Sequence, residues 1–197
     1  MGRIKSALEI ALERTETVKS DKTTIEQFNA KQQGKKLANA FLSDGEIKLA
    51  DEIKKIPAAQ RDSLKQGIFD VLISQINLPV VPDDEKKLEA VGKGLEAIIS
   101  DSNFALMYKQ FTQLLSRYLQ EAAQYDQALR QQYAPRLRKK EEELSRRLGQ
   151  EVRLDPFQDP EFVQYYNQNM NTLKANYTGA IEQVKSEART IFEKGAS

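Results

Sequence analysis

Two groups of side chains in this sequence could do chemistry on another molecule. The first is a set of cations: Arg130, Arg136, Arg138, Lys139, Lys140, Arg146, Arg147 and Arg153 gather within one stretch. Guanidinium and ammonium groups at that density could hold the phosphates of RNA, DNA or an anionic lipid. Arg136, Arg138, Lys139, Lys140, Arg146, Arg147 and Arg153 are the candidate anion or nucleic-acid contacts. Glu141, Glu142 and Glu143 sit inside the cluster and can pair with Arg146 and Arg147 at i,i+4 spacing. Such pairs weaken the field a phosphate would feel, so a solvated helix face is favoured over a phosphate cradle. The second group is the tyrosines. Tyr118, Tyr125, Tyr166 and Tyr177 fall on apolar stripes, where they should pack. Tyr108, Tyr133 and Tyr165 fall off them and are the candidates for contact with a protein partner.

Other chemistries are excluded by composition. The chain has no His and no Cys. Disulfides, thiolate nucleophiles, iron–sulfur ligation and Cys-based zinc sites are therefore out. So are Ser-His-Asp triads and Glu-x-x-His di-iron sites. The densest carboxylates are Glu141-Glu142-Glu143, Asp83-Asp84-Glu85 and the pair Asp155/Asp159. They read as a helix surface and as helix starts, where negative charge is favoured. Ser43-Asp44-Gly45-Glu46-Ile47 fails as a calcium loop because Ala40 and Leu42 stand where ligands should be. Gly34-Lys35-Lys36 and Gly92-Lys93-Gly94 lack the rest of a phosphate-binding fingerprint. No metal and no cofactor is expected, and the chain reads as a non-enzyme.

The elements that would position these groups are helices. Charged residues make up 30% of the 197 and apolar residues 40%, a balance that suits slender helices with much of their surface in water. Thirty basic against twenty-nine acidic residues leave a net charge of +1, which argues against attraction of the whole protein to nucleic acid. The longest apolar runs are too short to span a membrane. Met1-Gly2-Arg3-Ile4-Lys5 enters a charged segment without a signal-peptide apolar stretch.

From about residue 3 to 42, Ile4, Leu8, Ala11, Val18, Ile25 and Phe28 fall near one helical stripe. Ile4, Ala11, Val18 and Ile25 are seven apart, as in a coiled-coil seam. The charges flanking them are mixed in sign, so this segment packs on the protein or on a partner helix rather than on a membrane. Ser20-Asp21 could cap a new helix, which favours two helices or one with a soft joint near Ser20. Gly34 weakens the second half by about 1 kcal/mol relative to Ala. Shorter helices follow over about 46–56, 58–76 and 85–100. The second of these is apolar over a wide arc and is the expected core helix.

From residue 103 to about 148 the scale changes. Phe104, Phe111, Tyr118 and Tyr125 lie seven apart, a sustained heptad. Pro135 should kink or split this helix near residues 131–134. Gly149 ends it, and Asp159-Pro160 is a strong start for a last helix, with Asp at the cap and Pro at the first position. Two long periodic helices joined by a short connector pack antiparallel. The expected fold is all-α: an N-terminal helical bundle over 1–102 and a long antiparallel coiled-coil-like C-terminal hairpin over 103–197, either separate or packed as one domain. The expected function is that of a cytoplasmic scaffold or interaction protein acting through helix-on-helix packing, with a protein partner and a homodimer as its form. The alternative is binding of nucleic acid or an anionic surface through the basic patch.

Overall fold

The computed structural model describes residues 7–44, 47–99 and 101–195, with side chains from residue 22 onward. Among them are six α-helices and no strand: α1 (Ala7–Asp44), α2 (Leu49–Lys55), α3 (Ala58–Ser74), α4 (Asp83–Ile98), α5 (Ser102–Leu148) and α6 (Pro160–Gly195). A single 3₁₀ turn, Pro156–Gln158, precedes α6. No helix among the described residues is long and apolar enough to cross a membrane. The chain forms two compact units. One comprises Met1–Ile76, Glu89–Phe104 and Arg189–Ser197; the other comprises Asn77–Leu88 and Ala105–Ala188.

In the first unit α1 is one continuous helix of 38 residues, so of the two alternatives for this segment the single helix holds and the division near Ser20 is corrected. Ser and Asp are favoured at caps, but each costs well under about 1 kcal/mol inside a helix, so a cap signal alone does not end one. Packing on the rest of the unit begins at Ala30. Ala30, Gly34 and Ala38 are buried and lie four apart on one face, a stripe of small residues that lets another backbone come close. That backbone is α3. A Cβ on Gly34 would collide with the carbonyl oxygen of Leu64, and one on Gly67 would collide with that of Lys31. The two glycines thus face each other's helix at a crossing where only hydrogen fits. Lys31 bonds Asp70 at 2.9 Å beside the crossing.

Around this contact α3 buries Leu64, Ile68, Phe69, Leu72 and Ile73, as its wide apolar arc implied. Phe69 stacks on Phe192 of α6, with centroids 4.4 Å apart. A Cβ on Gly94 of α4 would stand 2.8 Å from Leu72 Cδ1 and 3.0 Å from Phe41 Cε1. Arg61 closes the end of α2 by donating to the carbonyls of Ile56 at 2.8 Å and Lys54 at 3.0 Å.

The second unit contains the hairpin. Residue numbers fall along α5 as they rise along α6: Tyr118 packs on Tyr177 (4.9 Å) and Tyr133 on Phe162 (5.1 Å), so the two run antiparallel. Helix α5 passes through Pro135 unbroken over its 47 residues. Proline removes one N–H and frees the carbonyl of Gln131, but both residues are exposed, so water takes the place of the missing donor. Gly149 ends α5 with φ 67°, the left-handed conformation that glycine adopts without strain. In the first turn of α4, Asp84 accepts the amides of Val80 (2.9 Å) and Val81 (3.1 Å) from the loop before that helix. These bonds, with that from Lys87, hold its carboxyl down at about 2.

The glycine crossing makes opposite predictions for one kind of substitution. Gly34→Ala and Gly67→Ala each lower stability by about 1–3 kcal/mol, because the added carbon meets backbone that must shift. Gly179→Ala, where a Cβ meets nothing within 4 Å, raises it by about 1 kcal/mol through helix propensity alone. Urea denaturation of the three variants checks the signs.

Candidate functional site

The basic cluster is divided by the structure into spent and unspent charge. Lys140 is spent. Its ammonium lies 2.8 Å from Asp159 Oδ2 and 2.8 Å from Glu161 Oε2, and Tyr133 donates its hydroxyl to Asp159 Oδ2 at 3.0 Å. Asp159 is buried and caps α6, accepting the Glu161 amide at 3.1 Å. Burial pushes its carboxyl up. The ammonium, the phenol and the amide outweigh that and hold it below the ordinary value of 3.8. The same bonds to Asp159 and Glu161 push the Lys140 ammonium well above its ordinary range. Beneath this network Tyr133, Leu137 and Phe162 form a buried cluster, with Leu154, Tyr165 and Tyr166 packed against it. The network therefore fastens the start of α6 to α5.

Arg153 pairs with Glu151 at 3.2 Å, and the Arg136 guanidinium lies 5.9 Å from the Tyr133 ring centroid. Arg130, outside the candidate set, bonds Asp126 at 2.9 Å and lies over the Phe157 ring at 4.8 Å. Arg138, Lys139, Arg146 and Arg147 are exposed and have no carboxylate within 4.0 Å among the described residues. The i,i+4 pairs expected from Glu142 and Glu143 to Arg146 and Arg147 are not closed. Both sides remain in water, where an exposed pair gains little. A surface cleft of about 350 Å³ runs past Lys140, Glu143, Arg147, Leu154 and Asp159, with acidic and basic groups side by side.

The structure places the three candidate tyrosines largely in the protein's own packing. Tyr108 and Tyr133 are buried. Tyr108 donates to the Leu88 carbonyl at 2.9 Å. Tyr165 is half-buried, lies 6.0 Å from the Tyr133 ring and donates to Gln132 Oε1 at 2.7 Å. By contrast Tyr125, placed in the seam by the heptad, is 36% exposed. The reason is the period. A straight helix drifts about 20° per heptad from a strict 3.5 repeat, and the buried row of α5 follows the helix. It leaves the seven-residue ladder after Tyr118 and continues through Leu129, Tyr133 and Leu137. Tyr118 and Tyr177 are buried as expected. Burial and the Glu121 carboxylate, 2.6 Å from its oxygen, push the Tyr177 hydroxyl up to about 12. Among the described residues no cluster of acidic groups is arranged to hold a metal.

A different surface stands out instead. Between residues 22 and 29 of α1 every side chain is exposed except half-buried Glu26. Ile25 and Phe28, three apart on one face, are 60% and 61% exposed. The seam containing Ile25 was legible in the sequence, but its openness was not. The remainder of that seam, Ile4, Leu8, Ala11 and Val18, lies outside the residues whose side chains are described.

Residues 50–190 match a family of unknown function, DUF6657, and the chain belongs to that family. The match begins within α2 and ends within α6. No curated protein and no solved structure matches the chain.

The capping network gives a pH signature. Because the folded-state value of Asp159 lies below the unfolded one, its contribution is present above about pH 4 and lost as pH falls through the lowered value. Asp159→Ala costs about 2 kcal/mol at neutral pH through the lost cap and hydrogen bonds. The gap from the unsubstituted protein narrows at pH 3. Urea titrations at the two pH values measure it.

Proposed function

We propose that this chain is a non-enzymatic helical interaction protein of the cytoplasm that receives a partner helix at the Ile25–Phe28 face of α1. The observation that carries the reading is the exposure of Ile25 and Phe28 on a helix whose following turns are clamped. Two large apolar groups at i and i+3 are the anchors a helix offers to another helix or to a groove. Covering each recovers about 1–2 kcal/mol that this chain's own packing leaves unused. The clamp at Gly34 matters to the role. It fixes the direction of the helix, so a partner has less ordering to do on arrival. The absence of Cys fits a reducing compartment. The absence of His removes the commonest general base.

Affinity capture from native lysate at low and high salt tests this reading. A defined protein partner should survive high salt with the unsubstituted chain and be lost with Ile25→Asp/Phe28→Asp, a variant that keeps its helical circular dichroism because both positions are exposed. Equal recovery on both chains overturns the reading.

A second reading rests on Arg138, Lys139, Arg146 and Arg147, four exposed cations without close carboxylates. They could hold nucleic acid or an anionic surface. On that reading heparin retention falls steeply with salt, and Arg146→Gln/Arg147→Gln shallows the slope by about two phosphate contacts. The neighbouring Glu142 and Glu143 make this the weaker of the two. Retention at low salt that is unchanged by the variant removes it.

A further inference from the structure

The geometry points to a hinge inside the α5–α6 hairpin: its outer half, residues 129–170, is a separately packed body that bends against the inner half about a thinly packed waist. The hinge is independent of the α1 face.

Burial along α5 is regular except in one place. Through the inner half Tyr108, Phe111, Leu115 and Tyr118 are buried, three or four residues apart. Through the outer half Leu129, Tyr133 and Leu137 are buried, four apart. Between Tyr118 and Leu129 none of the ten residues is buried. At 1.5 Å per residue that is about 15 Å of helix without one fully covered side chain. Helix α6 repeats the pattern. Phe162 and Met170 are buried, as are Tyr177, Ile181, Val184 and Ala188, but none of residues 171–176 is. The waist is therefore 119–128 of α5 and 171–176 of α6. Its half-buried apolar residues are Leu119, Ala122, Ala128 and Leu173. Two of the four are alanines, which bury little apolar surface.

Polar bonds tie the waist together. Tyr177, at its inner edge, donates to Glu121 at 2.6 Å, Tyr125 donates to Asn169 at 3.3 Å, and Tyr166 bonds Asp126. Glu121 and Tyr125 are exposed, so water can replace their bonds and the net gain from each is small. Gly179 stands two residues beyond Tyr177 and weakens α6 there through its low helix propensity. The outer half, by contrast, has a core of its own. Tyr133, Leu137 and Phe162 pack with Leu154, Tyr165 and Tyr166, and Lys140 grips Asp159 and Glu161. Densely packed groups move as a body, whereas a segment with few buried apolar contacts opens at low free energy. Two bodies joined by such a segment move about it. The unpaired cations Arg138, Lys139, Arg146 and Arg147 all ride on the outer half, so the bend sets where they point.

Amide hydrogen exchange on the full chain tests the hinge. Residues 119–128 and 171–176 should exchange several-fold faster than residues 129–137 and 162–170, although the latter lie nearer the tip of the hairpin. Fraying inward from the tip gives the reverse order and overturns the hinge, as does equal protection of waist and outer half. Leu129→Ala and Leu115→Ala then test whether the halves are separate bodies. Each should speed exchange several-fold in its own half and leave the other half unchanged. Should Leu129→Ala unfold the outer half altogether, the inner half must keep its protection. Loss of protection in both halves from either substitution overturns the separation.

Discussion

The crossing of α1 and α3 at Gly34 and Gly67 is the constraint on which the first unit is built. Each glycine lies against the other helix's carbonyl backbone, so a methyl group at either position would force the helices apart. Interiors pack at crystal-like density, and such a shift is not local. Leu64 and Ile68 are fully buried around it, and Ile73 and Leu72 pack further along the same helix. The small stripe Ala30, Gly34 and Ala38 lets the backbone of α3 come close to α1. Over residues 22–29, just ahead of it, the side chains face water apart from half-buried Glu26. A helix clamped from Ala30 onward and exposed over those residues presents a surface with a fixed direction.

The second unit solves a different problem. A hairpin of two long helices can slide in register, because its apolar rows look alike from turn to turn. The buried Asp159, gripped by Lys140, Tyr133 and the first turn of α6, supplies a point contact that only one register satisfies. A half-satisfied buried carboxylate is strongly disfavoured, so the network selects against slipped pairings. This engagement also changes the meaning of the basic cluster. Lys140 holds the fold, Arg130 and Arg153 are salt-bridged, Arg136 lies near an aromatic ring, and the other four face solvent.

Much of the fold was written in the residues. Asp159-Pro160 announced the start of α6, Gly149 the end of α5, and the wide apolar arc of α3 its place in the core. What was misread traces to two physical effects. A seven-residue ladder was extended past the point where a straight helix leaves it, which put Tyr125 inside and Tyr133 outside. Ser20 was read as a joint or a new start and Pro135 as a kink or a split, yet the cap signal at Ser20 is too weak to divide α1, and solvent exposure lets α5 run on through Pro135. Gly34 looked like a flaw in a helix, because the sequence cannot say that another glycine, thirty-three positions on, will come to meet its backbone. The open α1 face was half legible: the seam could be counted, but whether the chain covered it could not.

Amide hydrogen exchange along α1 tests the central claim most directly. The account predicts slow exchange over residues 30–44 and fast exchange over residues 22–29, with Gly34→Ala speeding exchange over 30–44 toward that of 22–29. Protection spread evenly along α1, or exchange over residues 30–44 that Gly34→Ala leaves unchanged, would contradict it.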